Sequence, residues 1–168
     1  MDVVAILIRE GLVDEASSAS LRGLSLAALV DDEVVAEDAL ADVLAREAGT
    51  IEIDLDRGTL DREAVTFIPD AIARRYLAMA VALEPGGRAL RVAFANPLDA
   101  AALRDVAEST GRSVRALCAP LSALRRAIER EYGADVPTQV LDVPAFRKEL
   151  PAEPSRRVEG APRARRAP

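Results

Sequence analysis

The sequence predicts an α+β fold: an N-terminal helical bundle segment, a small α/β subdomain whose sheet contains a β-hairpin, and a disordered C-terminal tail. Three observations carry this prediction. The first 48 residues place their apolar positions at helical spacing. From Thr50 the pattern turns to mixed α and β, beginning with the strict alternation Ile51-Glu52-Ile53-Asp54-Leu55. Residues 134–168 hold six of the ten prolines and the run Arg163-Ala164-Arg165-Arg166, a composition that sustains neither a helix nor a central strand.

Within the helical segment, residues 1–48, Ile6, Leu7 and Ile8 end a first helix at Gly11, and Asp14 is placed to cap a second. Ser17, Ser18 and Ser20 weaken that second helix, because serine competes for backbone hydrogen bonds. A further helix over Ala36 to Ala48 sets Ala39, Leu40, Val43 and Leu44 on one face. The segment carries a faint internal repeat. Leu7-Ile8-Arg9-Glu10-Gly11-Leu12-Val13 and Leu29-Val30-Asp31-Asp32-Glu33-Val34-Val35 share one apolar pattern at an offset of 22 residues, which suggests a duplicated helix pair.

The α/β subdomain spans residues 49–133. Ile51–Leu55 reads as a half-buried strand, and Pro69 opens a short helix through Tyr76. Leu77–Leu83 and Arg88–Phe94 form a hairpin across Glu84-Pro85-Gly86-Gly87, where glycines supply the positive φ of a tight turn. Asp99 caps a helix that Gly111 ends, Ser113–Cys118 is a strand, and Pro120 opens a last helix stopping at Gly133. Residues 134–168 are the tail, within which Val140–Phe146 is apolar enough to dock on a body or a partner.

Composition bounds the function. A chain of 168 residues, half of them apolar, builds one main core without staples. Three Phe, two Tyr and no Trp leave that core to Leu, Val, Ile and Ala. Cys118 is the only cysteine, so the chain has no internal disulfide and the cytoplasm is the expected compartment. No apolar run reaches the roughly 18–20 residues that span a bilayer, and Asp2 replaces the basic start of a signal peptide. Residues 1–133 hold 15 Arg and 23 Asp and Glu, a net of −8, whereas residues 134–168 carry a net of +2. An acidic body argues against nucleic acid as a partner. Arginine outnumbers lysine 21 to 1, the codon bias of a GC-rich bacterial genome.

Catalytic chemistry is hard to assemble from these residues. The absence of histidine removes the commonest general base and metal ligand. Lone Cys118, on a strand, reads as a buried inert thiol. No G-x-x-x-x-G-K-[ST] run is present, and the only lysine, Lys148, follows no glycine loop. Asp31-Asp32-Glu33 and Asp54-Leu55-Asp56 lack the spacing of a calcium loop and read as solvated acidic turns. Asn96-Pro97-Leu98-Asp99 is explained by a turn and a helix cap. Arg74 and Arg75 sit at a helix C-terminus, where they favour the helix dipole or grip a partner carboxylate. Neither a catalytic residue, a cofactor nor a metal site is expected.

From Leu40 to Gly133 the chain resembles the N-terminal domain of type II secretion and type IV pilus assembly ATPases. The matching residues are Leu44-Ala45-Arg46-Glu47-Ala48-Gly49 with Ile53-Asp54-Leu55, then Ile68-Pro69-Asp70-Ala71-Ile72-Ala73-Arg74-Arg75-Tyr76. The hairpin, Val92-Ala93-Phe94-Ala95-Asn96-Pro97-Leu98-Asp99, and the closing Ile128-Glu129-Arg130-Glu131-Tyr132-Gly133 follow in order. The resemblance implies a helical part ahead of a compact α/β part, docked on an inner-membrane platform from the cytosolic side. The motor is missing from these residues, and the tail stands where the linker to it would be. The chain is thus expected to be a stand-alone adaptor or a piece of a longer protein.

Some relatives in that family bind cyclic di-GMP through two tandem motifs, R-L-G-x-x-L-V-x-x-G-x-I, each continuing to a Gln. Here Leu7, Ile8, Gly11, Leu29 and Val30 match, and are the candidates for a residual dinucleotide site. The arginine positions fall on Asp2 and Leu24, the first glycines on Val4 and Leu26, the second later glycine on Glu33, and the glutamines on Ser25 and Glu47. Losing both arginines removes the guanidinium contacts to an anion, so cyclic di-GMP is not the expected ligand and a cyclic di-GMP sensor is the alternative reading. The expected role is a non-catalytic adaptor or regulatory domain that binds a protein of a secretion or pilus-like machine. Its candidate contacts are Asp31, Asp32, Glu33, Glu37 and Asp38, which either steer a basic partner or only favour the helix N-terminus and solubility, with Arg74 and Arg75.

Overall fold

Asp2 stands just ahead of an apolar run, and its carboxylate accepts the Val4 N–H at 3.0 Å, so helix α1 covers Val3–Arg9 and buries Val4, Ile6 and Leu7. The computed structural model describes residues 2–133. The expected tail over 134–168, with its apolar stretch 140–146, lies outside the described residues.

The second helix is shorter than a cap at Asp14 suggests. The chain makes one 3₁₀ turn, Glu15–Ser17, and then a single-turn helix α2, Ser18–Leu21, and the Asp14 side chain makes no capping bond. Serine chemistry explains the shortness: the Ser20 hydroxyl donates to the Ser17 carbonyl at 2.8 Å. Helix α3, Leu26–Asp31, is capped by Ser25, whose hydroxyl oxygen accepts the Ala28 N–H at 3.1 Å.

The faint repeat is a repeat of geometry. After α1, the Gly11 N–H donates to the Ile8 carbonyl at 3.0 Å and the Leu12 N–H to the Leu7 carbonyl at 2.9 Å. After α3, the Glu33 N–H donates to the Val30 carbonyl at 3.0 Å and the Val34 N–H to the Leu29 carbonyl at 3.0 Å. Both ends need a left-handed residue, and Gly11 has φ 73° where Glu33 has φ 54°. Helix α4, Glu37–Glu47, buries Leu40, Val43 and Leu44. Ala39 stays half-buried, and Ala41 and Ala45 complete the core face instead. The helices enclose a core of Leu7, Leu21, Leu29, Val35, Leu40 and Leu44, into which the strand residue Cys118 also packs.

Ile51–Leu55 does not form the expected strand. One parallel bridge joins Glu52 to Cys118, with the Ile53 N–H donating to the Cys118 carbonyl and the Cys118 N–H to the Ile51 carbonyl, both at 2.9 Å. The chain then turns away because the Asp54 carboxylate accepts the N–H groups of Asp56 and Arg57 at 2.9 and 3.1 Å. Alternation survives as burial only in part: Leu55 is 1% exposed and Ile53 is half-buried, but Ile51, which the pattern placed inward, is 65% exposed. A one-turn helix α5, Arg62–Val65, was not expected; Asp61 caps it and donates its own N–H to the Val81 carbonyl at 2.9 Å.

Helix α6, Asp70–Tyr76, follows Pro69, and the hairpin forms as predicted from β1, Ala78–Leu83, and β2, Ala89–Phe94. The register slips between Ala80 and Ala82, leaving Val81 as a bulge. Asp99 caps α7, Ala100–Thr110, by accepting from Ala101 and Ala102 at 2.9 and 3.1 Å. This helix crosses to β3, Ser113–Cys118, which pairs parallel to β2, giving the order β1-β2-β3. Helix α8, Leu121–Tyr132, packs with α6 against β1. The sheet and these helices enclose a second core in which Ile68, Met79, Val92, Phe94, Val106 and Leu124 have 1% exposure or less. Leu26 and Val30 touch both cores, and the described residues form one compact unit. Among the described residues no helix is long and apolar enough to cross a membrane.

Candidate interaction surfaces

The acids at 31–38 divide into two groups. Asp31, at the end of α3, takes two bonds from the Arg125 guanidinium at 2.8 and 2.9 Å, across 94 residues of sequence. That guanidinium holds the Asp31 carboxyl below its ordinary range despite some desolvation. The Glu37 carboxylate accepts the Ser122 N–H at the start of α8. Asp32, Glu33 and Asp38 are exposed and form no ion pair among the described residues. Of the five acids, these three are uncommitted among the described residues, whereas Asp31 and Glu37 fasten α3 and α4 to α8.

Arg74 is likewise committed. Its guanidinium donates to the Gly133 carbonyl at 2.6 Å and lies 2.6 Å from Asp70 one turn earlier. Arg75 is exposed, with its guanidinium carbon 5.1 Å from the centre of the Tyr76 ring. The Tyr76 hydroxyl donates to Asp105, and that bond, with burial, raises its pKa.

The starts of the two repeated helices, α1 and α3, border one hollow. Asp2 and Leu24, which stand at the arginine positions of the tandem motif, line this hollow of about 230 Å³ together with Gly23 and Asn96. Of the five candidates Leu29 alone lines it, from a buried position; Leu7 is buried, Ile8 and Val30 are half-buried and Gly11 is exposed, and these four lie outside its lining. Asp2 brings a carboxylate already engaged in capping α1, and Leu24 brings no charge.

A larger groove, of about 780 Å³, lies over the sheet between Ile51, Val81, Leu103 and Leu117. Arg91 and Arg115 are register partners on β2 and β3, and both reach Glu84, at 3.3 and 3.1 Å. Sequence reasoning missed this group. The available signal was one charged residue at an alternating position in each of two apolar strands, and its meaning depends on the parallel register. Cys118 is fully buried, its Sγ is 3.4 Å from the Ala41 carbonyl, and burial pushes its thiol up to about 12. No group of metal-ligating side chains is assembled among the described residues.

A duplicated helix pair joined to a three-stranded mixed sheet defines a compact α+β fold. Residues 44–138 match the MshEN domain family, and the chain belongs to it. It is a domain of the kind found at the N-terminus of secretion and pilus ATPases. Over 111 residues, 66% of the chain, it is 28% identical to the type IV pilus assembly ATPase PilB of Myxococcus xanthus, and it spans 19% of that relative's length. A structure of MshE with cdg aligns with 79% of this chain and 99% of its own at a TM-score of 0.63 and 26% identity. The N-terminal domain of XpsE shares the fold at a TM-score of 0.63 and 18% identity, over 77% of this chain and 92% of its own. The likeness to MshE with cdg weakens the expectation that cyclic di-GMP is not a ligand.

Proposed function

We propose that this domain is a non-catalytic docking module, an adaptor or regulatory domain that binds a platform or motor protein of a secretion or pilus machine at the cytoplasmic face of the inner membrane. The observation that carries the reading is family membership over residues 44–138. The residue inventory supports docking over catalysis: the 168 residues contain no histidine and no phosphate-binding glycine loop. Recovery of platform or motor proteins with the tagged chain from its native bacterium is the expected result. A set of captured proteins holding neither kind would overturn the assignment to such a machine.

A second reading, cyclic di-GMP sensing, is favoured by one specific observation, the alignment with MshE with cdg through 99% of that chain. Asp2 and Leu24 at the arginine positions oppose it, and of the motif-matching residues only Leu29 lines the hollow that they border. Calorimetry separates the two: heat that saturates at micromolar cyclic di-GMP establishes the sensor, and no heat at millimolar concentration sinks it.

A further inference from the structure

Strand β3 forms one edge of the sheet, and part of that edge is open. In a parallel pair, alternate residues bond to the neighbouring strand. The Ser113 N–H donates to the Arg88 carbonyl and the Ala119 N–H to the Phe94 carbonyl, so Ser113, Arg115 and Leu117 bond to β2. Val114, Ala116 and Cys118 therefore present their backbone groups outward. Cys118 is covered by its bridge to Glu52, and the Ala116 carbonyl accepts the Thr50 hydroxyl at 2.6 Å. The N–H groups of Val114 and Ala116 and the Val114 carbonyl have no hydrogen-bond partner among the described residues. Unpaired strand edges are templates for pairing with another chain.

The side chains beside this edge specify what kind of chain fits. The sheet groove runs up to the edge, with Ile51 65% exposed at its rim. Two guanidiniums, Arg91 and Arg115, share the single Glu84 carboxylate, and Arg115 is 70% exposed. The groove thus pairs apolar surface with a local positive excess in a body of net charge −8 over residues 1–133. The geometry points to an extended segment of another protein, with aliphatic and acidic residues two positions apart and so on one face, that adds to the Ser113–Ala116 edge of β3. Its acidic side chains face Arg91 and Arg115, and its aliphatic side chains enter the groove. A second copy of this chain fits less well. Antiparallel pairing of two β3 edges about a two-fold axis at Arg115 sets Arg115 against Arg115, and like charges directly opposed destabilise a pair. This inference names the contact surface of the docking module proposed above and rests on that reading.

The test uses the full chain and a displayed library of random dodecapeptides, followed by fluorescence anisotropy with the enriched peptides as synthetic probes. Enriched peptides should carry aliphatic and acidic residues two positions apart and lose binding when lysine replaces the acids. Val114→Pro removes one outward N–H without touching a bond to β2, and Arg91→Glu with Arg115→Glu reverses the charge. Each should weaken binding by about tenfold or more. Probes N-methylated at alternate backbone amides, which leave the protein untouched, should lose affinity in one methylation phase only. Several results would overturn the proposal: no enrichment, enrichment without acids, affinity unchanged in both folded variants, or a dimer that Val114→Pro dissociates. A platform protein recovered equally by wild type and Val114→Pro would preserve the machine assignment and remove this edge from it. Peptide binding through the edge without recovery of any machine protein would do the reverse.

Discussion

Gly11 and Glu33 occupy the same place in two copies of one helix end, 22 residues apart, and both are left-handed, with φ 73° and 54°. Only one of them is a glycine. A side chain held in that region costs about 1–2 kcal/mol, offset in part by the larger backbone entropy that glycine loses on folding. Glu33→Gly should therefore stabilise the protein by about 0.5–1 kcal/mol. Gly11→Ala should destabilise it by a similar amount through conformation alone, since an added Cβ at Gly11 meets nothing within 4 Å. Urea unfolding of both variants checks the pair, and equal effects of the same sign would refute the equivalence.

The acids of the 31–38 region should separate in the same kind of experiment. Asp32→Lys with Glu33→Lys touches no ion pair among the described residues and should leave the melting temperature within a few degrees of wild type. Asp31→Lys sets a cation against Arg125 and should lower it clearly. If a basic partner is steered by the free acids, the first double variant also associates more slowly at low salt and with a flatter salt dependence. Stopped-flow association with the recovered partner measures that slope.

Acid stability has contributions of opposite sign. Hydrogen bonds from Arg125 and Arg126 hold the Asp31 and Asp56 carboxyls below their ordinary 3.8. Their stabilisation is full above that unfolded value and is lost as pH falls through the lower folded values. Glu52 is raised above its ordinary 4.5 by desolvation and by Asp38 and Asp42. Its stabilising share is full below 4.5 and is lost as pH rises through the raised folded value. Glu52→Gln should thus raise the melting temperature at pH 7, and the gain should vanish below the ordinary glutamate value. Thermal melts across pH 3–8 test the sign, and a loss at pH 7 would contradict it.

Tyr132 closes α8 against the α5–α6 connection by donating to the Val65 and Ile68 carbonyls at 3.1 and 2.8 Å. Burial pushes its phenol up to about 12, so it remains a neutral donor at ordinary pH. Tyr132→Phe should cost about 1–2 kcal/mol by leaving acceptors without their donor. Chemical denaturation reads this directly, and a neutral substitution would mean that water replaces the hydroxyl.

What could be read from the sequence follows local chemistry. Gly86-Gly87, Asp99, Gly111 and Pro120 punctuate the second half, and the hairpin, α7, β3 and α8 stand within a residue of their expected limits. Alternation at Ile51–Leu55 reported the inward turn of Ile53 and Leu55, but neither the exposure of Ile51 nor whether a neighbouring strand lies alongside; only Glu52 has a bridge. A single turn such as α5 is too short for a helical period to show. The sheet groove was invisible for a different reason. Arg91 and Arg115 become neighbours only through a parallel register, and no local pattern specifies it. The Asp31 tie to Arg125 was hidden in the same way.

Cys118 belongs to β3 by hydrogen bonding and to the helical core by packing, with its Sγ 3.4 Å from the Ala41 carbonyl on α4. The helical part and the sheet therefore share a packed side chain, and neither can be repacked there without the other. A lineage that enlarged position 118 would have had to open space along α4 at the same time, so the two sites should covary among descendants. A helical segment grafted from a distant cousin onto this sheet should fold poorly until residue 118 is exchanged with it.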